Sequence, residues 1–240
     1  MFRTLWVWIG IPLIMIGIVA AMIIYSVNNP TDSIVERMLT YERVFRVIRQ
    51  HASLLLISMT GATIVGVLGG IMLSRPSLYR AGRVVETIVN IGQTVPSIAI
   101  LALFYTILGM GFRVAVFALF LYSILPILRN TFAGIDGVDY SIIEAARGMG
   151  MHPLRILTKI ELPIAFPIIV AGFRTAIVIN VGAATLATFI GGGGLGDLIV
   201  TGLAVRREMI ILNGAALAAL SAILLDYLIG KAEERVVKWS

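Results

Sequence analysis

The chain contains long segments without a charged residue, and these segments constrain its fold more than any other feature of the sequence. A helix that crosses the hydrocarbon core of a bilayer, about 30 Å thick, needs about 20 apolar residues, because each residue adds about 1.5 Å. Charged residues make up 13% of the chain, whereas a soluble domain usually carries about 25%. A water-soluble globular fold is therefore excluded.

Six apolar segments predict an all-α polytopic membrane protein with six transmembrane helices. The segments are residues 5–27, 52–74, 87–112, 114–128, 162–196 and 209–230. Arg174 alone interrupts the fifth segment, and Asp226 alone interrupts the sixth. The fourth is short, but Arg113 and Arg129 at its ends can extend to the headgroups. The first is longer than the apolar core of a signal peptide, so we expect an uncleaved anchor.

The positions of lysine and arginine predict that both termini are cytoplasmic. With that orientation, eleven of these residues fall on inner segments and seven on outer segments. The formal net charge of +6 is expected to face the anionic inner membrane surface rather than nucleic acid. The chain has no cysteine, which excludes disulfides and thiol catalysis. His51 and His152 are isolated, without a second ligand at metal spacing, so no metal site is expected.

Residues 28–51 predict an amphipathic helix that lies at the membrane interface before the second span. Ser33 and Glu36 have the spacing of a capping box, and apolar residues recur along one helical face. This outer segment also carries an unexpected group of basic residues: Arg37, Arg43, Arg46 and Arg49.

The longest predicted cytoplasmic loop, residues 129–163, has a pattern typical of two short helices joined by a turn. Ser141 and Glu144 have the spacing of a second capping box, and Gly150 ends the first helix. Pro163 then suits the start of the fifth span. With its apolar residues exposed, such a hairpin could dock into a groove on a partner protein. It could equally pack on its own membrane domain.

Seven residues of this loop resemble the EAA motif of ABC-importer permeases: Glu144, Ala145, Ala146, Gly150, Ile160, Leu162 and Pro163. In that family the loop forms coupling helices that sit in a cleft of the cytoplasmic ATPase. The resemblance implies a type I importer permease fold, with five core helices after an added N-terminal helix. It divides the chain into an anchor and interfacial segment (residues 1–50), a permease domain (residues 51–230) and a cytoplasmic tail (residues 231–240).

Residues 92–97, 171–175 and 189–196 resemble permeases that import glycine betaine, carnitine or choline. Methionine importers share the glycine-rich stretch, so methionine or another amino acid is the alternative substrate. The resemblance implies a second permease subunit, identical or paralogous, two ATPase subunits and an extracytoplasmic substrate-binding protein. It also implies the cytoplasmic membrane of a prokaryote.

The coupling residues have distinct expected roles. We expect the Glu144 carboxylate to cap free backbone N–H groups in the first turn of its helix. Ala145, Ala146 and Gly150 are expected to be needed for their small size in a close-packed interface. The chain has no GxxxxGKS or GxxxxGKT phosphate loop, so ATP and Mg are expected to bind the partner. The chain itself is expected to hold no cofactor and to be no enzyme.

Two polar groups lie within the predicted spans. Gln93, Thr94, Pro96 and Ser97 predict a kink, which either lines the translocation path or contacts another helix. Arg174 lies 11 residues after Pro163 in the fifth predicted span, and a charge inside a span is costly. We therefore expect Arg174 to pair with Glu86 or Asp226, to lie at a subunit interface, or to face the path.

A glycine run follows the fifth predicted span and indicates a sharp outer turn: Gly191, Gly192, Gly193, Gly194 and Gly196. The turn is either part of an outward gate or a plain loop that ends the helix.

Two other classes of membrane protein fit the sequence less well. Residues 194–197 match the GxGD fragment of intramembrane aspartyl proteases, but the Tyr-Asp pair that such enzymes need is reversed at Asp139–Tyr140 and Asp226–Tyr227. A self-sufficient carrier would show inverted repeats, and a channel would show a filter motif. The sequence has neither.

Overall fold

The computed structural model describes residues 2–236, which are helical with no strand. The helices are α1 (Phe2–Asn28), α2 (Ser33–Met38), α3 (Tyr41–Leu73), α4 (Tyr79–Gly92), α5 (Ser97–Leu108), α6 (Phe112–Asp136), α7 (Tyr140–Gly148), α8 (Pro153–Ile156), α9 (Leu162–Leu186), α10 (Gly196–Val205) and α11 (Glu208–Val236). A π-helical turn, Leu157–Glu161, joins α8 to α9, and a 3-10 turn, Ala187–Ile190, follows α9.

Helices α3, α6 and α9 form the centre of the bundle, because small residues let their backbones approach closely. A Cβ atom added to Gly66 of α3 would lie 2.8 Å from Ile127 of α6, and one added to Gly70 would lie 2.5 Å from Thr131. Helices α4 and α5 pack on α6, while α11 lies between α9, α10 and α1. The glycine run, residues 191–196, contacts Ala115 near the start of α6, whereas α7 follows the end of α6. The glycine run and α7 therefore lie at opposite ends of the bundle.

Five of the six predicted spans are present as single helices, and the third is not one helix. Within the described residues, five helices are long and apolar enough to cross a membrane, and α4 with α5, bent by 99° relative to each other, makes a sixth when the pair is counted as one span. The break lies at residues 93–96, because Pro96 has no N–H to donate and restricts the residue before it. The fourth span is longer than predicted, since α6 includes both flanking arginines.

The N-terminal segment also differs from the prediction. Asp32, and not Ser33, caps α2: its Oδ1 accepts hydrogen bonds from the N–H groups of Ile34 (2.8 Å) and Val35 (3.0 Å). A second helix begins at Tyr41 and continues into the next span as α3. Residues 41–51 are therefore not a separate interfacial helix, and the predicted boundary after residue 50 lies inside α3.

One of the unexpected arginines has a tertiary role. Arg43 Nη2 lies 2.9 Å from Asp197 Oδ2 and also donates to Thr201 Oγ1 at 2.9 Å, which ties α3 to α10. Arg46 and Arg49 are exposed, and no contact in the described residues accounts for them.

Candidate functional site

The loop between α6 and α9 begins with α7, whose N-terminus is capped by Asp139. Asp139 Oδ1 accepts a hydrogen bond from the Ser141 N–H at 2.8 Å, and this bond lowers the pKa of the carboxyl group. The predicted capping box of Ser141 and Glu144 is wrong, because Ser141 already lies inside the helix. Glu144 lies beyond the first turn and is exposed. In the part of the chain that the structure describes, the cap of α7 is Asp139, and the exposed Glu144 carboxylate is accessible to a partner.

Gly150 ends α7 because of its backbone conformation. Its φ angle is +77°, in the left-handed region. The Gly150 N–H donates to the Arg147 carbonyl at 2.9 Å, and the Met151 N–H donates to the Ala146 carbonyl at 3.1 Å, which is the hydrogen-bond pattern of a Schellman motif. A Cβ atom at Gly150 would meet nothing within 4 Å. Within the chain, the glycine is required by its φ angle and not by lack of space.

The chain then runs without interruption from α8 into the membrane. His152 caps α8, since its Nδ1 accepts from the Leu154 N–H at 3.4 Å, and Pro153 is the first helical residue. The π-helical turn leads directly into α9, where Pro163 is the second residue. Helices α8 and α9 are therefore parts of one continuous helix.

The structure brings the predicted coupling residues into one short segment with different exposures. Ala146 is fully buried, whereas Glu144, Ala145, Gly150 and Pro163 are exposed. Ile160 and Leu162 are half-buried. The segment also presents large apolar side chains to its surroundings, which we call the α7 patch: Tyr140, Ile142, Met149 and Leu154.

The polar group of the third span lies at the break between α4 and α5. Thr94 Oγ1 donates to the Ile91 carbonyl at 2.7 Å and so stays within its own turn. The Nε2 atom of Gln93 is buried without a hydrogen-bond partner in the described residues. Neither side chain has a hydrogen bond to another helix there. Tyr122 of α6, which the sequence did not indicate, donates instead to the Val95 carbonyl at 3.4 Å.

Arg174 is paired with α11, which confirms the prediction of a pair with Asp226. Its Nε and Nη2 atoms donate to the two Asp226 carboxylate oxygens at 3.0 and 3.1 Å. Its Nη1 atom donates to Glu233 at 3.3 Å. The alternative partner, Glu86, pairs with Arg83 instead, at 3.2 Å. Arg174, Asp226 and Glu233 line a cavity of about 380 Å³ between α9 and α11. A role of Arg174 in the translocation path stays a prediction.

The glycine run forms a tight turn against α3 and α6. Gly191, Gly193 and Gly194 have φ angles of +76°, +72° and +92°. A Cβ atom at Gly192 would lie 2.7 Å from the Ala115 side chain, and one at Gly196 would overlap a backbone carbonyl. The conformation of the turn is therefore fixed by packing against α3 and α6. Its role as a gate stays a prediction.

Comparison with known proteins decides the family. Residues 64–237 match the family described as binding-protein-dependent transport system inner membrane component. The chain belongs to this family. It is thus a multi-pass membrane permease subunit, as the motif in the α7 loop predicted.

Curated relatives of this permease are 44% identical to it over the residues that align. The choline transport system permease protein OpuBB of Bacillus subtilis (strain 168) is 44% identical over 187 residues, which are 78% of this chain and 85% of the relative. The same figures hold for the glycine betaine/carnitine/choline transport system permease protein OpuCB of that organism. The osmoprotectant import permease protein OsmY of Salmonella typhimurium (strain LT2) is 44% identical over 181 residues, 75% of this chain and 77% of the relative.

A solved structure confirms the predicted type I importer fold. The permease superposes on a chain of the inward-facing MetNI methionine ABC transporter with a TM-score of 0.68, covering 82% of this chain and 95% of the other. The two sequences are 24% identical, so the likeness concerns the fold alone.

The ion pairs of Asp197 and Asp226 are not those expected of an aspartyl protease. Such an enzyme needs two carboxylates that share one site. Asp197 is paired with Arg43, whereas Asp226 is paired with Arg174. Each carboxylate therefore already serves as the partner of a different arginine.

A buried polar contact in the permease core was missed from the sequence. Asn180 of α9 is fully buried, and its Nδ2 atom lies 3.0 Å from Ser58 Oγ of α3 and 2.5 Å from Ser123 Oγ of α6. An asparagine inside an apolar span was the available signal, because such a polar group needs a partner in the membrane. The contact links all three central helices.

Proposed function

We propose that this permease is the membrane subunit of an ATP-driven importer for a quaternary-amine osmoprotectant such as glycine betaine, carnitine or choline. The observation that carries this proposal is the 44% identity, over 78% of the chain, to permeases whose names give these substrates. The methionine alternative rests on a likeness of 24% identity, which supports the fold and no substrate.

The α7 patch is the proposed contact with a cytoplasmic ATPase subunit. Met149 is 74% exposed, and Tyr140 and Leu154 are each 63% exposed. Large apolar side chains that are exposed outside the membrane favour an interaction site, because their contact with water is unfavourable. Exposed Glu144 lies beside this surface and supplies a charge that can fix the orientation of the partner.

The remaining partners follow from the same proposal. Two permease subunits, identical or paralogous, assemble over two ATPase subunits, which bind ATP and Mg. A substrate-binding protein delivers the osmoprotectant from the outside, and both termini of the permease face the cytoplasm of a prokaryotic cell.

The geometry suggests how ATP drives import. Closure of the ATPase pair displaces α7 and α8, and the uninterrupted helix from Pro153 to Leu186 passes this displacement to the core. Import then follows as a shift of population between inward-open and outward-open states. We assign the break at Gln93, Thr94, Pro96 and Ser97 to the wall of the path together with Arg174, and the glycine run to the outer gate.

Uptake by the reconstituted complex tests the substrate class. The permease, its ATPase and its binding protein are placed in liposomes containing ATP, and labelled glycine betaine, carnitine, choline and methionine are offered in turn. We expect ATP-dependent uptake of at least one quaternary amine and none of methionine. Uptake of methionine alone would contradict the proposed substrate class. Uptake without the ATPase would contradict an ATP-driven importer.

Substitutions at Gly150 test the docking of α7. Gly150→Val should abolish the stimulation of ATP hydrolysis by substrate, because a β-branched residue at φ +77° is strained by about 1–3 kcal/mol. Gly150→Asn should retain most of the stimulation, since asparagine tolerates the left-handed region. Gly148→Ala is the matched control, because it adds a Cβ atom that meets nothing within 4 Å.

The three variants separate two reasons for the glycine. Equal losses for valine and asparagine would show that the ATPase cleft lacks space for any side chain. Normal stimulation in both variants would contradict docking through this turn. The measurement is ATPase activity of the assembled complex with and without substrate and binding protein.

A further inference from the structure

An ion pair between a buried carboxylate and a partly exposed arginine lies where the α7 loop enters the membrane domain. Glu161 occupies the last position of the π-helical turn before α9, and 7% of its surface is exposed. Its Oε2 atom lies 2.6 Å from Nη2 of Arg75. Nothing in the sequence paired these residues, because 85 positions separate them.

Arg75 is itself held at the end of α3. Its Nε donates to the Ile71 carbonyl at 3.2 Å, and its Nη2 donates to Ser74 Oγ at 3.0 Å. The guanidinium group is therefore anchored to the last turn of α3 while it contacts Glu161. The pair connects the α3 end with the junction of α8 and α9.

This connection has no equivalent in the described residues. Between Asp139 and Pro163, the side-chain hydrogen bonds are local, and Arg75–Glu161 is the one ion pair that reaches another part of the chain. Helix α9 is continuous with α8, but α3 has no covalent link to the loop. Elsewhere α3 meets α6 and α9 mainly through apolar and small side chains, apart from the buried contact of Ser58 with Asn180. At the α7-loop end of α3 the attraction of Arg75 and Glu161 is that of opposite charges in close contact, without a hydrogen bond to Glu161 Oε2 in the described residues.

Stability alone does not explain an ion pair with a buried carboxylate. The desolvation of the Glu161 carboxylate offsets much of its attraction to Arg75, and apolar residues of similar volume are often as stable. The π-helical turn that contains Glu161 also supports a functional role for the pair, because such turns are frequent at functional sites. The position of the pair suggests a role in fixing how two helices move together.

We propose that the Arg75–Glu161 pair transmits the displacement of the α7 loop to α3, so that α3 and α9 move as one unit. Glu161 is a positioning residue in this scheme, and it acts through Arg75. The inference rests on the proposed function, since it assumes that an ATPase moves the loop.

Charge variants of the complete reconstituted complex test this inference. Glu161→Gln and Arg75→Gln should each lower substrate uptake per ATP hydrolysed by about tenfold, the scale of a typical coupling between two sites. Basal ATP hydrolysis should persist. The exchange of both charges, Glu161→Arg with Arg75→Glu, should recover the ratio to within about threefold of wild type.

Two controls separate transmission from a structural role. Arg83→Gln breaks the Arg83–Glu86 pair and the longer contact, 3.9 Å, of Arg83 with Asp136 at the end of α6. Neither contact reaches residues 139–163, so this variant should leave the ratio unchanged. Arg75→Met with Glu161→Leu should fold, as apolar replacements of buried pairs do, but should remain uncoupled. Folding is followed by yield and thermal unfolding of the complex.

The outcomes are distinguishable. A wild-type complex without ATP-dependent uptake would refute the proposed function and not this pair. If wild type imports and the single charge variants keep its uptake per ATP, the inference is wrong. If the single variants fail to assemble, the charge exchange and the apolar pair decide: full coupling in the apolar pair, or none in the charge exchange, would overturn the inference.

Discussion

Gly196→Ala is expected to abolish accumulation of the folded permease. The added Cβ atom would overlap the carbonyl oxygen of Thr185, which lies in the backbone of α9. A backbone carbonyl inside a helix cannot rotate away as a side chain can, so either α9 or α10 must shift. Because Gly196 is buried at the start of α10, that shift also disturbs the packing of α10. We expect a destabilisation of about 4–5 kcal/mol or more, the range reserved for severe core substitutions.

Gly182→Ala is the matched control for this prediction. Gly182 also lies in the last turns of α9, but a Cβ atom there would meet nothing within 4 Å. Alanine favours a helix over glycine by about 1 kcal/mol, so this variant should be as stable as wild type or slightly more so. Membrane-fraction yield and thermal unfolding in detergent measure both effects. A Gly196→Ala protein with wild-type yield and unfolding temperature would show that the α9–α10 junction is far softer than its packing indicates.

The glycine run illustrates what the sequence could and could not predict. Five glycines after an apolar span predict a turn, because glycine alone adopts positive φ without strain. The surface that the turn packs against could not be predicted, since its residues lie more than seventy positions away in the chain. Gly194 donates its N–H to Gln50 at 3.4 Å and lies over buried His51 of α3. The turn could thus be predicted from the glycines, whereas its contact with Gln50 and His51 of α3 could not.

The predicted N-terminal caps of α2 and α7 were both wrong for the same reason. In both loops a serine with a glutamate three positions later has the spacing of a capping box, and in both an aspartate slightly upstream is the actual cap. An ionised carboxylate at a helix N-terminus gains from the helix dipole as well as from the hydrogen bond. Asp32 and Asp139 therefore cap the two helices in place of Ser33 and Ser141. Each helix begins earlier in the chain than the motif suggests.

The third span could be located from the sequence, but its shape could not. Hydropathy identifies the apolar segment, and Pro96 predicts a distortion. The size of the bend, 99°, depends on how the four residues of the break pack. Tyr122 of α6 satisfies the Val95 carbonyl that the break frees, and only the fold brings that hydroxyl group near.

Charged residues differ in how far the sequence constrains them. Arg174 lies deep in an apolar segment, where a charge requires a partner, and few acids are in reach, so the pair with Asp226 could be predicted. Arg75 and Glu161 lie at the ends of spans, where contact with water is a sufficient explanation. Their pairing is a property of the fold alone.

Breaking the Arg174 cluster should have the second large effect. Arg174→Gln leaves Asp226 and Glu233 without their shared cation. The cost should lie between about 1 kcal/mol for an exposed ion pair and about 3–5 kcal/mol for a buried one, because both Arg174 and Asp226 side chains are roughly 40% exposed, at 36% and 41%. Thermal unfolding of the purified complex should show this loss. Glu233→Gln, which removes the longer single contact of 3.3 Å, should cost less.

An exchange of the two charges separates pairing from a role in the path. Arg174→Glu with Asp226→Arg keeps an ion pair between α9 and α11, and Glu233→Gln removes the carboxylate that the new glutamate would otherwise face. The unfolding temperature of this triple variant should recover most of the loss. If Arg174 also contributes to the path, uptake should stay impaired in this stable variant, because the positive charge has moved from α9 to α11. Recovery of both quantities would assign Arg174 to pairing alone. Failure to recover stability would contradict the ion pair as the reason that the membrane domain tolerates an arginine at this depth.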